Sequence, residues 1–144
     1  MSEIKLLALD LDGTLFTKDK QVTAENRAAL KAAEAKGVHV VITTGRPLPA
    51  ITHILEDLDL LDDKHYSVTF NGGLVQRNNG DILIKKEMSR EDLKQIYAVF
   101  QPLGLPMDVI SDGIVYGVPS KGNHSLYRQA NPTLTFVDVE SIDD

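Results

Sequence analysis

The 144-residue sequence contains no cysteine, so disulfides, thiolate metal sites and thiol nucleophiles are all excluded. No apolar run approaches the roughly 20 residues that a membrane-spanning helix requires. Positive charge is in deficit, with 15 Lys and Arg against 21 Asp and Glu and a net charge of −6. Nucleic acid and anionic membranes attract a basic face, so neither is an expected partner. The opening Met-Ser-Glu-Ile-Lys has no basic leader region, and the expectation is a cytoplasmic protein. Internal repeats and low-complexity segments are missing as well. What is present is the balance of a soluble globular chain, 42% hydrophobic and 25% charged, long enough to bury a real core.

Residues 4–9, Ile-Lys-Leu-Leu-Ala-Leu, read as a short strand of a sheet covered on both faces. Thr23 caps an amphipathic helix rich in alanine, and Gly37 is its expected stop. A β-branched strand follows at 38–42, then a helix from Pro47 to about Leu58 and a third strand at 66–70. This alternation predicts right-handed crossovers and a parallel sheet. Beyond it, Asn78-Asn79-Gly80-Asp81 joins two strand-like runs as a hairpin. Ser89 caps a further helix through about Gln101, with Glu91 and Asp92 in its first turn. Strands near 106–110 and 114–118 flank the turn Ser111-Asp112-Gly113, and a helix near 121–130 and a strand near 134–139 follow. The expected fold class is α/β. Residues 1–85 form part of a Rossmann-like parallel core of three strands, and 86–144 a smaller antiparallel α+β part.

The chemistry concentrates where strands end. Asp10-Leu11-Asp12-Gly13-Thr14-Leu15 follows the first strand directly. Residues two apart share a side of a strand, so Asp10 and Asp12 can project together past its end, and Gly13 lets the backbone turn away. Two carboxylates there suit Mg2+ held against a phosphate. Because the overall field is negative, local donors and that metal must attract the anion. Asp10 is the candidate nucleophile, attacking phosphorus to form an aspartyl-phosphate. Asp12 is the candidate acid that protonates the leaving alkoxide and then activates water. The second strand ends in Thr43-Thr44-Gly45-Arg46-Pro47. Thr44 offers a hydroxyl and Gly45 an unobstructed N–H to a phosphate oxygen, while Arg46 can pair with substrate or with a core acid. Asn71-Gly72-Gly73 ends the third strand; it is first a turn signal, with Asn71 able to orient the nucleophile or a substrate oxygen. His39, His53, His65 and His124 lack ligand spacing and read as structural or exposed. The acids Asp57, Asp59, Asp62 and Asp63 read as a solvated helix end.

These three signals, in this order, resemble the haloacid dehalogenase-like phosphatase superfamily and within it the Cof-type sugar phosphatases. The resemblance implies Asp10 as nucleophile and metal ligand, and Asp12 as general acid/base with its carbonyl as a second ligand. It places Leu11, Thr44 and Gly45 at phosphate-contacting positions, with Thr14, Arg46 and Asn71 as possible support. It further implies that residues from about 86 begin a C2-type cap that selects substrates, and that the substrate is a small phosphorylated metabolite. The family also uses a later Lys and a G-D-x-x-N-D segment. Ser120-Lys121-Gly122, Asp138 and Asp143 imitate these without the Gly-Asp pair or the acid spacing, and are read as a decoy. The chain is therefore expected to be an N-terminal portion, inactive or nearly so by itself, with its first strand an open edge able to pair with another copy. Two other classes stand beside this. One is a non-catalytic phosphate- or metal-binding or regulatory remnant of the same fold. The other is a signalling receiver domain, which would want Asp where Asn71 stands and an adjacent acidic pair.

Overall fold

The computed structural model describes residues 4–111, 113–118, 120 and 125–143. The chain divides into two compact units, residues 1–86 and 87–144.

In the first unit, strand β1 (Leu6–Asp10) leads through an irregular turn at Leu11–Leu15 towards helix α1 (Ala24–Glu34). Strand β2 (His39–Thr43) follows, then a 3-10 turn at Leu48–Ala50, helix α2 (Thr52–Asp57) and strand β3 (Tyr66–Thr69). Strands β4 (Leu74–Arg77) and β5 (Ile82–Lys85) form the hairpin. The five strands make one sheet in the order β1-β2-β3-β4-β5, parallel from β1 to β3 and antiparallel thereafter. Helices connect the parallel strands because a parallel return needs a long crossover, whereas four residues suffice for the hairpin.

Local chemistry sets the element ends. Thr23 accepts the Asn26 N–H at 3.1 Å, satisfying a donor the first turn of α1 cannot. Gly37 takes φ +81° just beyond that helix, where a side chain would be strained. The core is built from Leu11, Leu15, Val40, Ile42, Ile51, Leu55 and their neighbours. Leu7 and Leu9 pack against it from one face of β1, while Leu6 and Ala8 on the other face are exposed. The expectation that β1 is covered on both faces is thus corrected: alternation along the strand decides which residues are inside. The helix expected from Pro47 is also broken, because Ile51 (φ −120°, ψ 0°) separates the 3-10 turn from α2.

The second unit contains helix α3 (Arg90–Leu103), strands β6 (Met107–Ser111) and β7 (Ile114–Val118), helix α4 (Tyr127–Ala130) and strand β8 (Thr135–Asp138). Ser89 caps α3, accepting the Asp92 N–H at 3.1 Å and donating to Asp92 Oδ2 at 2.6 Å. Gly104, at φ +69°, closes the helix two residues beyond the expected end. The expected all-antiparallel pattern is corrected here. Strands β6 and β7 are antiparallel, but β7 and β8 run parallel, which the long connection through α4 permits. Asp112, His124 and the Lys121-Gly122 pair lie outside the described residues, as does the first part of the helix expected at 121–130.

Candidate active site

Register brings three strand ends into one row. Asp10, the last residue of β1, stands opposite Thr43, the last residue of β2, and Thr43 stands opposite Val68 in β3. Two further backbone bonds tie the loops beyond. The Thr44 N–H donates to the Val68 carbonyl at 2.8 Å, and the Asn71 N–H to the Thr44 carbonyl at 3.2 Å. The segments after β2 and β3 are therefore fixed to each other by main chain, independently of their side chains.

Around this row lies a pocket of about 340 Å³ lined by Asp10, Thr43, Thr44, Gly45, Val68, Asn71 and Gly72. Four of the residues singled out from sequence meet there: Asp10, Thr44, Gly45 and Asn71. Thr43, Val68 and Gly72 were not singled out. The signal for Thr43 is its register with Asp10, which can be read once the two strands are known to be parallel neighbours.

Asp10 is exposed, and the Thr14 hydroxyl donates to its Oδ2 at 3.1 Å. That contact spans the turn where Gly13 takes φ +81°, a conformation that glycine reaches without strain. Leu11 is completely buried, so its side chain anchors the turn in the core. Thr44 accepts the Arg46 N–H on its hydroxyl oxygen at 3.2 Å, leaving the hydroxyl proton to be donated elsewhere.

Asp12 lies outside the pocket lining. Arg46 grips it through both oxygens, Nε to Oδ2 at 2.8 Å and a terminal nitrogen to Oδ1 at 2.7 Å. Of the two partners that the sequence left open for Arg46, the one seen here is an acid, itself half exposed. Asn71 has a left-handed backbone (φ 54°, ψ 35°) between Phe70 at φ 52° and Gly72 at φ 94°. Its amide presses against Gly45 so closely that a Cβ there would lie 2.8 Å from Asn71 Oδ1.

Asp10 and Asp12 offer hard oxygen donors, the kind Mg2+ takes with one or two carboxylates, waters and substrate phosphate. Among the described residues no group of three His, Asp or Glu side chains gathers as a self-sufficient metal site, so these donors fit such an ion as part of a set. The two acids read as part of a decoy, Asp138 and Asp143, are engaged elsewhere. Asp138 pairs with Arg128, and Asp143 with Lys94 at 2.5 Å.

Fold and site together define an α/β protein with an acid-centred pocket at the carboxyl ends of adjacent parallel strands, the expected ligand position in open α/β sheets. A family model described as haloacid dehalogenase-like hydrolase matches residues 7–143, and the chain belongs to that family. A Streptococcus pyogenes serotype M6 protein carrying a provisional phosphatase name is 40% identical over 114 residues, which cover 78% of this chain and 42% of that protein. A 5-amino-6-(5-phospho-D-ribitylamino)uracil phosphatase of Bacillus subtilis strain 168 is 35% identical over 95 residues, 66% of this chain and 37% of that one. Among solved structures, a haloacid dehalogenase-like hydrolase of Bacteroides thetaiotaomicron superposes with TM-score 0.78 at 19% identity, over 97% of this chain and 53% of its own. A subclass IIB sugar phosphatase gives TM-score 0.77 at 23% identity, over 96% and 53%. At those identities the likeness is one of fold. The chain spans less than half the length of these curated relatives.

Proposed function

We propose that this chain carries the nucleophile half of a Mg2+-dependent phosphatase acting on small phosphorylated metabolites, sugar phosphates foremost. The observation that carries the reading is the meeting of Asp10 with Thr44, Gly45 and Asn71 around one pocket. Asp10 attacks phosphorus, Thr44 and the Gly45 N–H receive phosphate oxygens, and Leu11 contributes through its main chain. Asp12 gives a proton to the leaving oxygen and later takes one from water. Asp10 and the Asp12 carbonyl would hold Mg2+, which when bound offsets the repulsion between an anionic nucleophile and an anionic substrate.

The names borne by the relatives support the substrate class, since one acts on a phosphorylated ribityl chain and one neighbour is a sugar phosphatase. In the same proposal residues 1–85 belong to the catalytic core and 86–144 begin a C2-type cap, in a cytoplasmic protein. The family resemblance calls for a later Lys and an acidic segment to supply most of the transition-state charge stabilisation, so the 144-residue chain by itself is expected to turn over little or no substrate.

The test is p-nitrophenyl phosphate hydrolysis with Mg2+, run on this chain and on any longer version of it. Turnover by the longer protein that vanishes in Asp10→Asn is the expected result. No turnover in any version would instead favour a non-catalytic phosphate-binding module, and full activity in Asp10→Asn would refute Asp10 as the nucleophile.

A further inference from the structure

We propose that Arg46 is the positioning residue for Asp12, fixing the plane of the carboxylate that exchanges the proton. This deepens the phosphatase reading and rests on it.

Asp12 needs such a partner. It lies in a non-helical turn (φ −74°, ψ 114°) directly before Gly13, and its side chain is half exposed. A short carboxylate on such a turn rotates about two torsions with little packing to choose among them. The Arg46 fork removes that freedom, because two parallel N–H bonds to the two oxygens define a plane and not merely a distance. Arg46 is itself held. Its side chain is only 20% exposed, and its own N–H is bonded to the Thr44 hydroxyl. One residue thus links the anion-receiving loop after β2 to the acid after β1.

Magnitude separates orientation from stability. An ion pair with one partner half in water adds little to folding, too little to make this pair a staple of the fold. General acid–base catalysis contributes about 10²- to 10⁴-fold to rate, and that contribution depends on where the carboxylate points.

The proton accounting shows what must be aimed. In the first half-reaction an Asp10 oxygen bonds to phosphorus while the bond to the leaving group breaks. The departing oxygen keeps the electron pair and takes a proton from Asp12. In the second, water attacks phosphorus, Asp12 receives its proton, and the bond from Asp10 to phosphorus breaks to release phosphate. A carboxylate has about four lone-pair sites. The fork uses two of them and leaves the others for these transfers.

The test compares Arg46→Ala and Arg46→Lys, in whichever version of the protein turns over substrate, on an alkyl phosphate, whose leaving group needs the proton, and on p-nitrophenyl phosphate, whose leaving group does not. Arg46→Ala should lower kcat on the alkyl phosphate about 10-fold or more, with KM nearly unchanged. The single-turnover release of p-nitrophenol should fall far less. Lysine should fail to restore the loss, since it supplies charge without the fork, whereas added guanidinium should recover part of it. Equal losses on both substrates, or a raised KM with kcat intact, would overturn the inference. Activity surviving Asp10→Asn would instead overturn the reading beneath it, in which Asp10 is the nucleophile. A second measurement needs no turnover. In the 144-residue chain the Arg46 Nε–H nuclear magnetic resonance signal should move and exchange faster in Asp12→Asn, and an unchanged signal would also refute the pairing.

Discussion

Gly45 shows how a single missing side chain shapes the site. Any Cβ there meets the Asn71 amide at 2.8 Å, yet that amide is the far end of a side chain that can swing aside. Gly45→Ala should therefore cost little stability, below about 1 kcal/mol, while driving Asn71 out of its place in the pocket. The expected signature is non-additivity, with Gly45→Ala measurably cheaper in an Asn71→Ala background than in the native chain. Chemical denaturation of the four proteins checks the cycle, and the Asn71 amide signals report the displacement directly. Equal costs in both backgrounds would mean that the contact carries no energy. The stretch Phe70-Asn71-Gly72 deepens the point, because all three residues have positive φ. Two of them are not glycine, and such conformations cost of order 1 kcal/mol or more and concentrate at functional sites. The sequence marks a turn here through Asn-Gly, but no pattern in it foretells a left-handed phenylalanine.

At the scale of elements, the end of α1 is tied to the segment before β3 by a histidine between two acids. The His65 ring lies 2.6 Å from Glu34 Oε1 through Nε2 and 2.8 Å from Asp62 Oδ1 through Nδ1. Burial alone would raise the Asp62 carboxyl. The His65 and Lys64 N–H groups and the His65 ring together outweigh it and hold the group below the usual carboxylate range. The sign follows from that depression: Asp62 contributes stability above its unfolded value of about 3.9, and the contribution disappears as pH falls through the lower folded value. Thermal melts should show native protein above Asp62→Asn at about pH 7, with the gap closing towards about pH 3; a gap that widens on acidification would contradict the assignment. His65→Ala should be the more damaging change, by about 1–3 kcal/mol, because it leaves Glu34 and Asp62 without their shared partner. This cluster illustrates what sequence can and cannot reveal. The strand–helix alternation, the Thr23 and Ser89 caps and the hairpin were legible because each depends on neighbours in the chain. The acids at strand ends were legible for the same reason. His65 passed as one scattered histidine because its partner Glu34 lies 31 positions away. That the acid facing Arg46 is Asp12, 34 positions away, was hidden likewise, as was the parallel pairing of β8, which nothing local to 135–138 encodes.

For the whole chain, the sheet ends are its exposed liability. Among the described residues β1 is an outermost strand of its sheet, and Ile4 and Leu6 are 71% and 56% exposed. An unpaired apolar edge offers a row of backbone donors and acceptors to any similar edge. The opposite end, β5, also exposes Ile82, Leu83 and Ile84, but Asp81, Lys85 and Lys86 flank it with charge, a common guard against strand addition. The 144-residue chain should therefore self-associate as its concentration rises, through β1 in preference to β5. Light scattering on size-fractionated protein should show mass growing with loading, and Leu6→Lys, which places charge on the exposed face of β1, should return the monomer. Leu83→Lys should leave the association largely intact. A native chain that stays monomeric at high concentration would refute edge pairing altogether, and rescue by Leu83→Lys in place of Leu6→Lys would move the contact to the hairpin. Pairing along β1 would also have a consequence for the pocket, because Asp10 ends that strand and is in register with Thr43. A second copy laid along its outer side would confine Asp10 at the end of that strand. Phosphate binding to the associated form should consequently differ from binding to the Leu6→Lys monomer, and titration of inorganic phosphate with Mg2+ into each at equal chain concentration measures that difference.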